Sequence, residues 1–313
     1  MTGAAAAADD GTYMGFVGVT TGQSSIRRVF PAWAAELGLP TGTLVGHDVA
    51  MGSPPAVYRD LVAQIRDDPQ HRGALVTTHK VAVHAACADM FDELDELATT
   101  FGEISSVYKR DGKLYGAAKD PVTVRLALEE FLPADHFAGS GAEVLVLGAG
   151  GSGMALSHQL GVRGDRPARV TCTALREGQL DHLRELHERA GLPAGLFRYV
   201  VTPQPADADE LLAALPPGSL VVNATGMGKD VPGSPFTDAA VWPDRGLAWE
   251  FNYRGSLEFL HQAQAWQSGH DLTVEDGWRY FVHGWTQVIA DVFDVPMPHE
   301  TVTALSDVAA ALR

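Results

Sequence analysis

The residues best placed to do chemistry are a glycine-rich run, a scarce lysine and an aspartate. Gly148-Ala149-Gly150-Gly151-Ser152-Gly153 follows the apolar run EVLVL (143–147) and leads into an apolar helical stretch, Met154 to Leu160. A GxGxxG between strand and helix is the context that a dinucleotide-binding turn requires. The first glycine makes the tight turn, the second lets a pyrophosphate approach the backbone, and the third lets helix pack on strand. Free N–H groups at the helix start then face the anion. Gly148, Gly150, Gly151, Ser152 and Gly153 are therefore the candidate cofactor contacts. The end of the next strand selects the nucleotide, an acid favouring NAD and an arginine NADP. Thr171-Cys172-Thr173-Ala174-Leu175-Arg176 carries no acid, and Arg176 is its only base. The expected cofactor is NADP, with NAD still open.

Lys80 is one of only five lysines in the chain, and it closes Val76-Thr77-Thr78-His79-Lys80 at a strand-to-helix passage. Asp120 stands between Lys119 and Pro121, where a carboxylate ordinarily caps a helix. On the residues alone, a solvated lysine and a helix-capping carboxylate are the ordinary readings. The 12 histidines make no metal-binding spacing, His79 and His84 included, and there is no GxSxG. Neither a metal nor a covalent nucleophile is expected.

The elements that must position these residues follow from periodicity. Tyr13 to Thr20, Thr43 to Val49 and Gly73 to Thr77 read as strands. Between them lie a helix capped by Ser24-Ser25 and ended by Gly38, and an amphipathic one over Pro55 to Arg66. The latter shows Val57, Leu61, Val62 and Ile65 on one face. Val81 to Met90 is helical, and Asp111-Gly112 turns a hairpin between Ser105–Tyr108 and Lys113–Tyr115. Val122 to Phe131 is a further helix. Beyond the glycine run, strands at Val170–Thr173, Phe197–Val201, Leu220–Asn223 and Leu247–Phe251 leave room for crossover helices, which implies a doubly wound parallel sheet. Tyr280 to Val292 and Thr301 to Leu312 close the chain as helices.

Composition narrows the function classes. The 313 residues carry 39 acids against 23 Lys and Arg, a net charge of −16. Such a surface repels nucleic acid and anionic lipid, so neither partner is expected. Two cysteines outside any CxxC, Cys87 and Cys172, suit a reducing, cytoplasmic compartment. The N-terminal alanine run has no basic residue before it and is too short for a signal-peptide core, and no apolar stretch reaches the ~20 residues of a membrane span.

Taken in order, these pieces resemble the shikimate dehydrogenase family from about Phe16 to Val295. Gly18-Val19 with Ser24 and Gly38-Leu39 look like its opening strand and serine-bearing helix. ALVTTHK (74–80) lies where the family has NVTxPxK. Glu93 to Ala98 with Gly102 to Arg110 looks like DxLDxxA…GAVNTV. After the glycine run, Asn223-Ala224-Thr225 with Gly228, then Phe251-Asn252, resemble NATxxG and YNP. The resemblance implies that Lys80 is an acid/base at a reacting carbinol, with Asp120 as its partner. It also implies cofactor contacts at Asn223, Thr225 and Phe251.

Departures from the family concentrate in the substrate positions. Gly22 stands at the first of two carboxylate-binding serines, while Ser24 keeps the second. Val76 stands at a hydroxyl-binding threonine unless Thr77 replaces it, Ser105 and Ala118 stand at asparagines, and Tyr280 and Gly284 at a methionine and a glutamine. Arg27 or Arg28, a turn beyond Ser24, could bind a carboxylate instead. The expected substrate contacts are Ser24, Arg27, Thr77, Ser105 and Tyr280. Trp278 and Trp285 lie nearby in sequence. The implied architecture is two α/β domains: a substrate domain over residues 1–122, rejoined by helices 280–313, and a dinucleotide domain over 123–279. The implied reaction is reversible NADP-dependent hydride transfer on a cyclic, carboxylated alcohol or ketone by a monomer or homodimer. A methylene-tetrahydrofolate dehydrogenase-type enzyme and a non-catalytic dinucleotide sensor are the competing readings.

Overall fold

The computed structural model describes residues 9–229 and 231–312; the N-terminal alanines lie outside them. The chain divides into two compact units, with breaks between Lys119 and Asp120 and between Phe281 and Val282. No helix among the described residues is long and apolar enough to cross a membrane.

The first unit is built from β1 (Tyr13–Gly18), α1 (Ile26–Leu37), β2 (Leu44–Asp48), α2 (Pro55–Asp67), β3 (His71–Val76), α3 (Lys80–Cys87), β4 (Glu93–Leu94), α4 (Glu96–Phe101), β5 (Ser106–Arg110) and β6 (Lys113–Ala117). Its sheet runs β2-β1-β3-β5-β6-β4. Strands β2, β1 and β3 are mutually parallel, whereas β5 runs antiparallel to both β3 and β6. The reversal is made by Asp111 and Gly112, whose φ values of 51° and 75° are what a two-residue type I′ hairpin needs. A core of Val17, Ile65, Ala74, Val76, Ile104 and Val107 fills one side of this sheet.

Two local expectations need correction. Ser25 stands at the N-cap of α1, but its side chain makes no capping bond. The chain instead enters through a short 3₁₀ turn, Thr21–Gln23, whose Thr21 N–H and hydroxyl both donate to Asp48, at 2.8 and 2.6 Å. On α2 the buried stripe is Tyr58, Leu61, Val62 and Ile65, with Val57 39% exposed. Positions 58, 61, 62 and 65 follow the i, i+3, i+4, i+7 rule, and Val57 falls off that face.

The second unit comprises α5 (Asp120–Glu129), β7 (Val144–Leu147), α6 (Gly151–Val162), β8 (Val170–Ala174), α7 (Glu177–Arg189), β9 (Phe197–Val201), α8 (Pro205–Ala213), β10 (Leu220–Asn223), β11 (Leu247–Glu250), α9 (Glu258–His270) and β12 (Thr273–Glu275). All its strand pairs are parallel, in the order β12-β11-β10-β7-β8-β9. Numbered within the unit this is 6-5-4-1-2-3, the doubly wound dinucleotide-binding order. The four residues of β7 are wholly buried, which is why they read as one continuous apolar run. Helix α10 (Trp278–Phe293) begins in this unit and continues into the first, which α11 (His299–Ala310) completes. Trp33 of α1 is buried and donates its indole N–H to the Leu305 carbonyl of α11 at 2.6 Å.

Candidate dinucleotide site and candidate catalytic residues

In an open α/β sheet, ligands bind beyond the carboxyl ends of the strands where the strand order reverses. In the second unit that point lies between β7 and β10. Gly148 follows β7 with φ 103°, a conformation that L side chains rarely adopt. A Cβ there would also stand 2.7 Å from the Ala224 carbonyl oxygen beyond β10. At Gly153 a Cβ would overlap the Gly148 carbonyl oxygen. Gly150 is different: it is exposed, and a Cβ there meets nothing within 4 Å. Glycines 148 and 153 are thus required by the protein's own packing. The bare backbone at Gly150 leaves open space that a side chain would fill. The turn fits a dinucleotide: Gly150 caps α6, whose first residues, Gly151 and Ser152, head a 12-residue helix.

Arg176 occupies the N-cap of α7, directly after β8, and is exposed. Strand β8 is bonded to β7, and the Gly148 N–H donates to the Thr173 carbonyl at 3.1 Å. Arg176 therefore follows the strand next to the glycine turn, and no acid precedes it on β8.

Asn223 and Thr225 are used inside the protein. The Thr225 N–H and hydroxyl donate to Asn223 Oδ1 at 3.1 and 2.6 Å, and Asn223 Nδ2 donates to Glu250 Oε2 at 2.6 Å. Asn223 is fully buried and shapes the loop beyond β10. Phe251 stacks on Tyr280 with centroids 4.7 Å apart and planes 11° from parallel. The Tyr280 hydroxyl lies 3.5 Å from Ser152 Oγ, which places this candidate substrate contact beside the glycine turn of the second unit. Its aromatic companions are core residues: Trp278 packs on Tyr253 and Phe281, and Trp285 packs on Phe16 in the first unit.

In the first unit, Lys80 is half-buried and opens α3. The residue before it fixes that start. His79 is 2% exposed; its Nε2 donates to the Val49 carbonyl at 2.9 Å, so its Nδ1 accepts from the Tyr58 hydroxyl at 3.1 Å. The Lys80 carbonyl accepts from the Ile104 N–H at 3.1 Å, which anchors the first turn of the helix. His79 had no motif to mark it; only a short-range clue, a histidine abutting the candidate lysine, was present in the sequence.

The remaining candidates divide by how their polar atoms are occupied. Ser105 is buried, accepts from the Lys119 N–H at 2.7 Å and lies 3.4 Å from the Ala117 carbonyl, so its hydroxyl secures the chain just before Asp120. Thr77 donates to the Val17 carbonyl at 3.1 Å. Val76 is buried in the core. Ser24 is partly buried, while Arg27 and Arg28 are exposed. Asp120 is buried and is the first residue of α5. Among the described residues, no group of three or more His, Cys, Asp or Glu could hold a metal ion.

No family model matches the chain. Curated relatives do. The shikimate dehydrogenase (NADP(+)) of Symbiobacterium thermophilum is 29% identical over 75% of this chain and 74% of its own length. That of Mesorhizobium japonicum is 28% identical over 71% and 70%. With the enzyme of Lactococcus lactis subsp. cremoris the match, at 28% identity, spans 55% of this chain and 58% of the relative. Among solved structures, quinate dehydrogenase from Corynebacterium glutamicum in complex with NAD has a TM-score of 0.73 at 20% identity, covering 96% of this chain and 99% of that one. Shikimate 5-dehydrogenase from Thermus thermophilus in complex with NADP(H) and shikimate has a TM-score of 0.70 at 22% identity, covering 96% and 100%. At these identities the structural likeness is one of fold, and the sequence matches supply the relationship. By these matches the chain is similar to the shikimate dehydrogenases, and divergent from each of them.

Proposed function

We propose that this protein is an NADP-dependent dehydrogenase that interconverts a cyclic, carboxylated secondary alcohol and its ketone. The observation that carries the reading is the glycine turn at the strand-order reversal, with open space over Gly150 and an arginine after β8. Gly150, Gly151 and Ser152 would hold the pyrophosphate, and Arg176 the 2′-phosphate. When bound, the nicotinamide supplies the hydride acceptor or donor. The relatives' names, which specify NADP(+), support the same cofactor.

The proton is this chain's own task. Lys80 Nζ takes the carbinol proton during oxidation and returns it during reduction, and Asp120 is its carboxylate partner. The hydrogen bonds of His79 fix where α3 begins and so where Lys80 is presented. The substrate differs from shikimate. Val76 and Gly284 cannot hydrogen-bond a ring hydroxyl through their side chains, and Gly22 offers no hydroxyl to a carboxylate. Exposed Arg27, beside Ser24, supplies carboxylate binding in place of the missing serine.

Steady-state assays with NADPH and NADH, and with the oxidised forms, against a panel of cyclic hydroxy- and keto-acids test this reading. Turnover of a panel member other than shikimate is expected. For shikimate itself two missing hydroxyl partners lower kcat/KM by roughly 10²–10⁴-fold from a native substrate's value. A kcat/KM for shikimate within the ordinary enzyme range of ~10⁴–10⁸ M⁻¹s⁻¹ refutes the altered pocket. Tight dinucleotide binding without turnover of any panel member would favour the sensor reading.

A further inference from the structure

Glu250 is the last residue of β11 and is wholly inaccessible to solvent. A carboxyl group so placed is costly unless its oxygens are bonded. Both are: Oε2 accepts from Asn223 Nδ2 at 2.6 Å and Oε1 from the Asn252 N–H at 2.7 Å. The two asparagines also converge on one further atom. Asn252 Nδ2 and Asn223 Nδ2 donate to the Met227 carbonyl at 2.9 and 3.3 Å. Asn223 Oδ1 in turn receives the Thr225 N–H and hydroxyl, and Thr225 Oγ1 receives the Met227 N–H at 3.1 Å. The loop 224–228 is therefore held by side chains at its base. Its Ala224 carbonyl and Thr225 nitrogen lie against Gly148, at 2.7 and 3.0 Å from where a Cβ would be.

We propose that Glu250 is a positioning residue for the dinucleotide: its buried carboxylate clamps Asn223 and Asn252 and so holds the 224–228 loop against the glycine turn. This rests on the reading of that turn as the cofactor site. The clamp needs an acceptor at both oxygens. A protonated carboxyl, or the amide of Gln, turns an O–H or N–H toward one of two N–H donors and leaves that donor unsatisfied. Burial pushes the Glu250 carboxyl up to about 7, against the lowering effect of its hydrogen bonds and of Lys229 on the adjoining loop. Two acids on neighbouring elements have partners of their own. Glu275 of β12 lies 3.2 Å from Arg279 of α10, and Glu258 of α9 lies 2.6 Å from Ser256.

The test compares wild type with Glu250→Gln. Amide hydrogen exchange of the free proteins is followed at Thr225 and Met227, and Kd is measured for NADPH and NADH by fluorescence titration between pH 6 and 8.5. The expected result is faster exchange at both amides and Kd values raised about ten- to a hundredfold at pH 8. Wild-type affinity should weaken as pH falls through 7 more steeply than that of the variant, whose position 250 does not titrate. The NADPH phosphate titrates in both proteins and cancels in the difference. If Glu250→Gln does not fold, Glu250→Asp, which keeps the charge but shortens its reach, is measured in the same way. Wild type that binds neither dinucleotide overturns the reading of the site and this inference together. Wild type that binds, with a variant that binds equally or exchanges no faster, overturns the inference alone.

Discussion

Gly153 lies so close to Gly148 that a Cβ at position 153 would overlap the Gly148 carbonyl oxygen. The neighbour is backbone and cannot swing aside, so helix α6 would have to move off β7. Gly153→Ala should lose about 1–3 kcal/mol of stability, the usual cost of forcing atoms into a packed interior, and lose dinucleotide affinity with it. Gly150→Ala separates the two effects, because its Cβ enters open space. The expected result is only a small fall in melting temperature, because Ala is a poorer N-cap than Gly, with NADPH binding weakened at least tenfold, about 1.4 kcal/mol. Differential scanning calorimetry beside titration calorimetry on both variants checks the contrast.

Lys80→Ala should lower kcat by roughly 10²–10⁴-fold, the typical worth of a proton-transferring side chain. NADPH affinity should stay within a few-fold of wild type, because Lys80 belongs to the first unit and the glycine turn to the second. Retention of more than about a tenth of kcat would mean a loss of at most ~1.4 kcal/mol in the transition state, too little for that role.

Arg176→Ala should weaken NADP by roughly 1.5–3 kcal/mol, the range for hydrogen bonds to charged groups, and leave NAD unchanged. Equal losses for both cofactors, or no loss for either, would show that the 2′-phosphate is bound by other residues. Because Arg176 is exposed, the NADP preference should also shrink as salt is added.

Stability against pH carries a signature of Glu250. Its carboxyl is raised by burial from 4.5 to about 7, so between those values the folded state binds a proton that the unfolded state has released. The stabilisation is complete below about pH 4.5 and is lost as pH rises to 7, for a total on the order of 3 kcal/mol. His71 and His187 act in the opposite sense. Burial lowers them to about 3 and about 4, so their share is present above pH 6.5 and is lost as pH falls. The useful measurement is therefore the difference between wild type and Glu250→Gln in urea midpoints across pH 5 to 8. That difference should move in favour of the variant as pH rises. A flat difference would mean that Glu250 keeps one protonation state throughout.

Features decided by close neighbours in the chain were legible in the sequence. The glycine turn, the Asp111-Gly112 hairpin and the buried run of β7 each express a backbone or burial constraint within about six residues. The family likeness is a string of such local signs in order, and the sequence matches to shikimate dehydrogenases bear it out. What each polar group does with its hydrogen bonds was decided only by tertiary structure. Glu250 meets Asn223 from 27 positions away, His79 meets Val49 from 30, and Tyr280 approaches Ser152 from 128. A buried polar atom must find a partner, but the fold determines which partner is within reach. Ser105 could be read as a ligand from its place in a motif. Only the fold shows that its buried hydroxyl also supports the backbone, by accepting a Lys119 N–H that would otherwise lose a partner.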